Sequence, residues 1–273
     1  MFCRIRFAVL SILLAVGSVT LARVGSAETL NLGGTGGAVP MMRQVGAIFA
    51  TRTATELKIF DSLGSGGGIT AAGDGVLDVT ISGRPLSQKE VAAGFSTPLI
   101  LRTPYVLATS YQAPPSISKS EVSRLFADVK ASWPDGTPVR IILRPTTESD
   151  NAVLFALFPG TEEAVTRARQ RSDVPIAPTD QDNQEMATHT PGSLIGTTFT
   201  QTLLEARGLG ILPIDGVMPS GENLASGSYP YEKQLWLVQP RRKTEIGQKF
   251  IVFLSSPEGQ QALKKAGILP LPE

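Results

Sequence analysis

Apolar and polar positions along this chain switch between two periods. The segments LNL at residues 30–32 and LKIF at residues 57–60, in which apolar residues alternate with a polar one, are typical of strands, whereas Met42, Val45 and Phe49 between them recur at the spacing of one helix face. The same switch continues along the chain. It predicts an α/β architecture with mainly parallel sheets.

Helix starts can be located from capping residues. Ser87 with Glu90 and Ser118 with Glu121 have the spacing of a capping box. The Ser-Pro-Glu triplet at residues 256–258 combines an N-cap with a proline at the first helical position. Each of the three is therefore expected to begin a helix.

Two turns rich in hydrogen-bond donors follow predicted strands. The segment LGSGGGI at residues 63–69 opens a helix, and its glycines let the backbone approach a ligand while the first helical N–H groups stay free for an anion. The next strand, residues 76–81, ends in Ser82, Gly83 and Arg84. These donors predict an anion site, although a glycine-serine turn can also be a simple tight connection.

Arg144 adds a charge to these donors. The buried strand predicted at residues 139–143 ends at this arginine, and a helix is predicted to begin just after Asp150. Ligands of open α/β sheets bind outside the carboxyl ends of the strands. Arg144 is therefore well placed to bind an anion.

The first 27 residues have the pattern of a secretion signal. Arg4 and Arg6 precede an apolar stretch at residues 7–21, and the small residues 25–27 suit a signal peptidase, so cleavage is expected after residue 27. The apolar stretch is short for a membrane span of roughly 20 residues, and an uncleaved anchor is the alternative. The one cysteine, Cys3, lies in this segment, so the mature protein is expected to lack thiol chemistry and to work in the periplasm.

Charge and histidine content exclude several classes of function. The 273 residues include 25 basic and 24 acidic ones, and without the three arginines of residues 1–27 the mature chain has 22 basic residues against 24 acidic ones, a formal charge of −2. No nucleic-acid partner is expected for such a chain. His189, the one histidine, lies in a polar segment predicted as a loop, and we predict no metal, no cofactor and no catalytic triad.

These segments, in this order, resemble the phosphate-binding proteins of ABC importers, within the type II periplasmic solute-binding superfamily. The resemblance covers almost the whole mature chain and rests on GGTGGAVPMMRQVGAIF, LGSGGGI, GVLDVTISGRPLS, ILRPTTESDN, TPGSLIG, SYPYEKQLWLV and FIVFLSSPEGQQALKKAGILPL. It implies an α/β fold of two lobes joined by two hinge-crossing strands, with the ligand enclosed between the lobes. The implied parts are a signal peptide (1–27), lobe 1 (28–105), lobe 2 (106–237) and C-terminal helices that return to lobe 1 (238–273).

The resemblance also implies a ligand site, carried over position by position. Backbone N–H groups of the first two loops, serine hydroxyls and one arginine would surround the anion. With Arg84 from the second turn, the predicted ligand-binding residues are Gly36, Gly37, Ala38, Ser65, Gly66, Gly67, Ser82, Arg84, Arg144, Ser149 and Asp150. No residue is predicted to be catalytic.

Three positions depart from the family's pattern. Gly83 stands where some phosphate binders carry an aspartate that accepts the ligand's proton. Glu148 and Asp150 stand where the family places donors, and a carboxylate in contact with a dianion would repel it by about 4 kcal/mol at an intermediate dielectric unless Arg84 or Arg144 offsets it. Asp150 either contacts the ligand or turns away to cap the following helix, and Arg84 either lines the site or pairs with a surface carboxylate. The identity of the ligand stays open.

The expected function is that of a periplasmic, monomeric solute-binding protein without enzymatic activity, which delivers phosphate or a similar oxyanion to an inner-membrane ABC permease. One alternative is a protein of the same fold that acts as a sensory subunit or binds a different solute. The other is a serine acyl-transfer enzyme, because S-x-x-K at residues 116–119 and S-D-N at 149–151 imitate two motifs of penicillin-recognising enzymes. The third motif of those enzymes is absent, since Glu245 follows Lys243 and Thr244.

Overall fold

The structure is a computed structural model that describes residues 27–205 and 207–271. The predicted signal peptide lies outside the described residues up to residue 26. The strands are β1 Thr29–Gly34, β2 Glu56–Phe60, β3 Val79–Ser82, β4 Ser96–Thr109, β5 Arg140–Ile141, β6 Ser193–Thr198, β7 Gly210–Ile211, β8 Glu232–Gln239 and β9 Leu269–Pro270. The helices are α1 Val39–Thr53, α2 Gly64–Gly73, α3 Gln88–Ala92, α4 Val122–Ala127, α5 Ser149–Leu157, α6 Thr161–Ala168, α7 Asp180–His189, α8 Phe199–Glu205, α9 Gly221–Ser226, α10 Glu245–Ser255 and α11 Pro257–Lys265.

The strands form a continuous mixed sheet in the order β2-β1-β3-β8-β4-β6-β5. β1 is parallel to β2 and β3, and β5 is parallel to β6, whereas β8 is antiparallel to β3 and β4, and β4 is antiparallel to β6. The prediction of mainly parallel strands is therefore wrong. β4 and β8 run through the middle of the sheet in opposite directions, so each makes antiparallel ladders with its neighbours.

The core has two main parts, and β4 contributes to both. The first part contains Leu101 of β4 and Leu235 of β8, and the second contains Tyr105 of β4 and Tyr231, which directly precedes β8. These two strands therefore cross from one lobe to the other, as expected for two hinge-crossing strands in an α/β fold of two lobes. The lobe limits at 105/106 and 237/238 lie close to these crossings and remain a proposal.

The predicted helix starts are confirmed. Ser87 and Glu90 form a capping box at the start of α3, and Ser118 and Glu121 form one at a 3₁₀ turn that leads into α4. At α11, Ser256 accepts the N–H of the third helical residue. The strand predicted at 139–143 is shorter, at Arg140–Ile141, and Leu143 beyond it makes an isolated bridge with Ile176 instead of extending the pairing with β6.

Helix α2 packs unusually close to the sheet, and this contact sets the position of its N-terminus. A Cβ atom added to Gly68 would lie 2.3 Å from Thr80 Oγ1 and 2.7 Å from Gly34 Cα. A glycine at 68 is therefore required for α2 to rest on β1 and β3.

No helix in residues 27–205 and 207–271 has the length and apolar character needed to cross a membrane.

We expect Gly68→Ala to destabilise the protein by about 2 kcal/mol, because the added methyl group overpacks this contact. The matched control is Gly66→Ala in the same helix, where an added Cβ has no neighbour within 4 Å. Alanine favours helix over glycine, so the control should not lose stability. Urea unfolding measures the free energy of unfolding of both variants. Equal losses in the two variants would contradict the packing argument.

Candidate functional site

A cavity of about 920 Å³ lies between the lobes beside β8. The N-terminal turn of α2 and the turn from Gly83 to Pro85 line it from lobe 1. Thr146, Thr147 and the outer face of α5 line it from lobe 2, and alternate residues of β8 line it from the hinge. The cavity therefore contacts both lobes and one of the strands that join them.

Two helices begin at this cavity without a side-chain cap. Neither Leu63 at the start of α2 nor Glu148 at the start of α5 caps its helix with a side chain. Serine or threonine side chains cap α3, α7, α9, α10 and α11, whereas α1, α4 and α6 also begin without a side-chain cap but contribute no residue to this cavity. In α5 the Asn151 N–H donates to the Glu148 carbonyl, so the N–H groups of Ser149 and Asp150 are the ones left without a helical partner. The first N–H groups of α2 also have no partner within their helix, and the positive ends of both helix dipoles lie at the cavity. Such an arrangement favours an anion.

Ser65 and Gly83 connect the two turns of lobe 1. The Gly83 N–H donates to Ser65 Oγ at 2.9 Å, which leaves the Ser65 hydroxyl hydrogen free to donate to a ligand. A Cβ atom at Gly83 would lie only 2.4 Å from Ser149 Oγ of lobe 2. Glycine at this position therefore permits the close approach of α5, and an aspartate here would require the Ser149 side chain to move.

Ser82 and Arg84 are engaged within lobe 1. Ser82 Oγ donates to the Arg84 carbonyl at 2.6 Å and accepts the Arg84 N–H at 3.2 Å. The Arg84 guanidinium makes a bidentate pair with Glu90 at 2.8 and 2.9 Å, and this pairing lowers the pKa of Glu90 to about 2. Of the two alternatives for Arg84, pairing with a carboxylate is the one observed, although Arg84 also lines the cavity.

A buried cluster of charges lies behind the cavity. Lys233 of β8 has no exposed side-chain surface and pairs with Asp150 of α5, which is itself buried. Arg144 Nη2 lies 3.3 Å from Glu148 and 3.7 Å from Asp180, and its Nη1 donates to the Ala177 carbonyl. Arg144 Nε is buried without a partner. Two cations and three carboxylates are thus held together at the lobe interface.

Asp150 does not cap α5, and that alternative is wrong. The helix begins at Ser149, with Glu148 at the N-cap position. Asp150 is the second helical residue and turns toward Lys233, because a lysine without solvent contact requires a counter-charge.

The first loop of lobe 1 contacts lobe 2 directly. Gln181 Nε2 donates to the Gly36 carbonyl at 3.1 Å, and a Cβ atom added to Gly36 would lie 2.5 Å from Asp180 Oδ2. Burial raises the pKa of Asp180, and the Gly37 backbone N–H partly opposes this rise. The Ala38 N–H donates to the Thr35 carbonyl within the local turn at 3.1 Å. A carboxylate of the protein therefore lies against backbone groups that the sequence assigned to the ligand.

Ten of the eleven predicted site residues therefore fall into two groups, whereas Ser82 is buried at the end of β3 and belongs to neither. The group that lines the open cavity contains Ser65, Gly66, Gly67, Arg84 and Ser149. The group that meets in or beside the charge cluster contains Gly36, Gly37, Ala38, Arg144 and Asp150. Lys233 connects the groups, because its Cε lies 3.4 Å from an added Gly83 Cβ and its Nζ lies 3.8 Å from an added Gly37 Cβ.

Burial changes the proton affinity of the cluster. Burial, with the nearby charge of Asp150, raises the pKa of Asp180 above its ordinary value. Burial also raises the pKa of Glu148, and the attraction of Arg144 only partly opposes this. Burial alone would lower the pKa of Lys233, but Asp150 and Asp180 outweigh it and the pKa is raised. The lysine thus stays charged, while Asp180 and Glu148 accept protons more readily than exposed carboxylates do.

Sequence reasoning missed Lys233 and Asp180. The signal for Lys233 is its position in β8, where it shares the buried face with Leu235 and Leu237. A lysine on the buried face of a strand indicates a buried carboxylate partner. Asp180 gives no comparable signal, because an acidic residue at the start of a helix is commonly explained by the helix dipole.

The remaining candidates have other surroundings. Ser116 Oγ accepts the N–H of Gly216 in an exposed loop, and Lys119 Nζ lies 5.9 Å from the Tyr231 ring, so both have partners outside any acyl-transfer arrangement. His189 is exposed, at the end of α7 rather than in a loop. Trp133 packs in the second core, whereas Trp236 lines the cavity.

Comparison with known proteins places the chain in a family. Residues 22–258 match the family model of the PBP superfamily domain. The phosphate-binding protein PstS of Borreliella burgdorferi is 23% identical over 224 residues, which cover 77% of this chain and 78% of that protein.

Two solved structures show the same fold. A Clostridium perfringens protein assigned as a phosphate ABC transporter substrate-binding protein, with phosphate bound, has a TM-score of 0.74 at 18% identity over 90% of this chain and 100% of its own. The periplasmic molybdate-binding protein of Azotobacter vinelandii has a TM-score of 0.59 at 16% identity over 89% of this chain and 100% of its own. At these identities the likeness concerns the fold.

We expect Lys233→Met to cost about 3 to 5 kcal/mol of unfolding free energy, because it leaves Asp150 buried without its cation. Adding Asp150→Asn should recover part of that loss, so the double variant should lose less than the two single variants together. Arg43→Met is the control, since its pair with Asp61 is exposed and should matter by less than about 1 kcal/mol. Denaturant unfolding measures all four variants, and additive losses would contradict coupling of the pair.

Proposed function

The chain belongs to the PBP superfamily, and from that premise we propose that it is an extracytoplasmic solute-binding protein that binds phosphate or a similar oxyanion between its lobes. It acts by binding and release rather than by chemical turnover. It delivers the anion to the permease of an ABC importer in the inner membrane. Its curated relative, a phosphate-binding protein, supports the choice of ligand.

One observation carries the proposal: two uncapped helix N-termini meet across a cleft that is backed by buried cations. The free N–H groups of α2 and α5 and the hydroxyls of Ser65 and Ser149 supply donors without charge. Lys233 and Arg144 supply positive charge behind them. Hydrogen bonds from fixed dipoles and nearby cations are how proteins hold desolvated oxyanions.

The carboxylates of the cluster decide how much charge the site can accept. With all five groups ionised, Lys233 and Arg144 are outnumbered by Asp150, Asp180 and Glu148. Protonation of Asp180 or Glu148, whose pKa values are raised, makes the cluster neutral. The arriving anion raises these pKa values further, because a like charge disfavours the ionised form. Anion binding is therefore coupled to proton uptake, and affinity rises as the pH falls through the raised pKa values.

Opening and closing of the lobes would admit and release the ligand. The contacts of Gly36 and Gly37 with α7 must break when the lobes separate, and they involve only a few hydrogen bonds. β4 and β8 form the hinge, because β4 contributes to both cores and β8 runs from Tyr231 of the second core to Leu235 and Leu237 of the first. A binding protein of this kind presents its closed form to a permease.

The purified protein should bind phosphate in isothermal titration calorimetry, with sulfate, molybdate and tungstate as comparison anions. Ser65→Ala should weaken binding about tenfold or more, because it removes a hydroxyl donor to a charged ligand. Ser120→Ala, an exposed serine remote from the cleft, is the control and should change nothing. Silence toward every oxyanion, or equal affinity in the two variants, would contradict the proposal.

A further inference from the structure

We infer that the ligand is larger than inorganic phosphate: a phosphate monoester or phosphonate whose anionic head binds at α2 and α5 and whose uncharged apolar substituent fills the rest of the cavity. This inference rests on the proposed function, because it uses the same anion site.

The cavity persists although the lobes are already in contact. Gln181 of lobe 2 accepts a hydrogen bond from Ser62 Oγ and donates one to the Gly36 carbonyl of lobe 1. The Ser149 hydroxyl of lobe 2 also lies only 2.4 Å from the position that a Cβ atom would take at Gly83 of lobe 1. The open volume is therefore not the result of separated lobes.

The volume exceeds what a bare oxyanion fills. With about 30 Å³ of liquid volume for each water, a tetrahedral anion of five heavy atoms needs on the order of 100 Å³. The cavity holds about 920 Å³, within the range of roughly 300 to 1,000 Å³ typical of sites for organic ligands.

The walls divide into a polar end and an apolar part. The donors are at the polar end, on the first turn of α2 and around Ser149. The apolar part contains side chains from α5, the loop before α2 and the hinge strand, namely Val153, Phe155, Leu157, Leu63 and Trp236. Leu63 is 37% exposed, so a site for bare phosphate leaves apolar surface in water. An apolar substituent would cover it.

The charges at the cavity indicate a substituent without charge. Each ionised side chain on its wall already has a partner of opposite sign: Arg84 with Glu90, Glu148 with Arg144, and Glu232 with Arg102. A second charge on the ligand would find no free counter-charge among the described residues of this wall.

Calorimetry with three probes tests the inference: inorganic phosphate, methylphosphonate and phenylphosphonate. Phenylphosphonate should bind about tenfold or more tightly than methylphosphonate, because both carry the same head and only one carries an aromatic body. Ala156→Trp places a large side chain on the exposed, cavity-lining face of α5 without entering the core. It should abolish the phenyl preference and leave phosphate binding unchanged.

A second variant removes apolar surface from the cavity without adding a tryptophan that could disturb α5. Phe155→Ser should lower the affinity for phenylphosphonate and not that for phosphate, whereas Val252→Ser, an exposed apolar residue on α10, should lower neither. Binding of phosphate without a phenyl preference, or a preference that survives Ala156→Trp, overturns the inference and leaves the proposed function standing. Binding of none of the three anions overturns both.

Discussion

The pairing of Lys233 with Asp150 is the interaction on which the cleft depends. A lysine on the buried face of a hinge strand cannot remain charged without a carboxylate beside it, and Asp150 supplies that carboxylate from the start of α5. This requirement fixes where α5 begins relative to β8. It therefore also fixes Ser149 against Gly83 and sets the lobe 2 wall of the cavity.

The same pairing explains why the cleft has two unlike halves. On one side, the buried cations attract carboxylates of the protein itself, and Asp180 lies against Gly36 of the first loop. On the other side, α2 and α5 begin at the cavity, and no side chain caps their first backbone N–H groups. The first half holds the lobes together and contributes charge, and the second provides room and donors for a ligand.

Local features of the fold were predictable because short-range physics decides them. The capping boxes at Ser87 and Ser118 and the glycine turn that opens α2 follow from hydrogen bonds and backbone sterics within a few residues.

The antiparallel course of β4 and β8 was not predictable from periodicity, since alternation in a strand does not reveal the direction of its neighbour. The role of Asp150 was missed for a similar reason, because its partner lies 83 positions away. The resemblance to a known family supplied the two lobes and the ligand class, which the pattern of residues alone does not give.

Proton uptake on anion binding tests the central claim, that carboxylates of the buried cluster share the site with the ligand. Calorimetry of phosphate binding at one pH in two buffers of different ionisation enthalpy gives the number of protons taken up. We expect the wild-type protein to take up protons when phosphate binds, and the Asp180→Asn variant to take up fewer. The titration of phosphate itself is the same in both experiments, so the difference reports on Asp180. Equal proton uptake in the two proteins would contradict it.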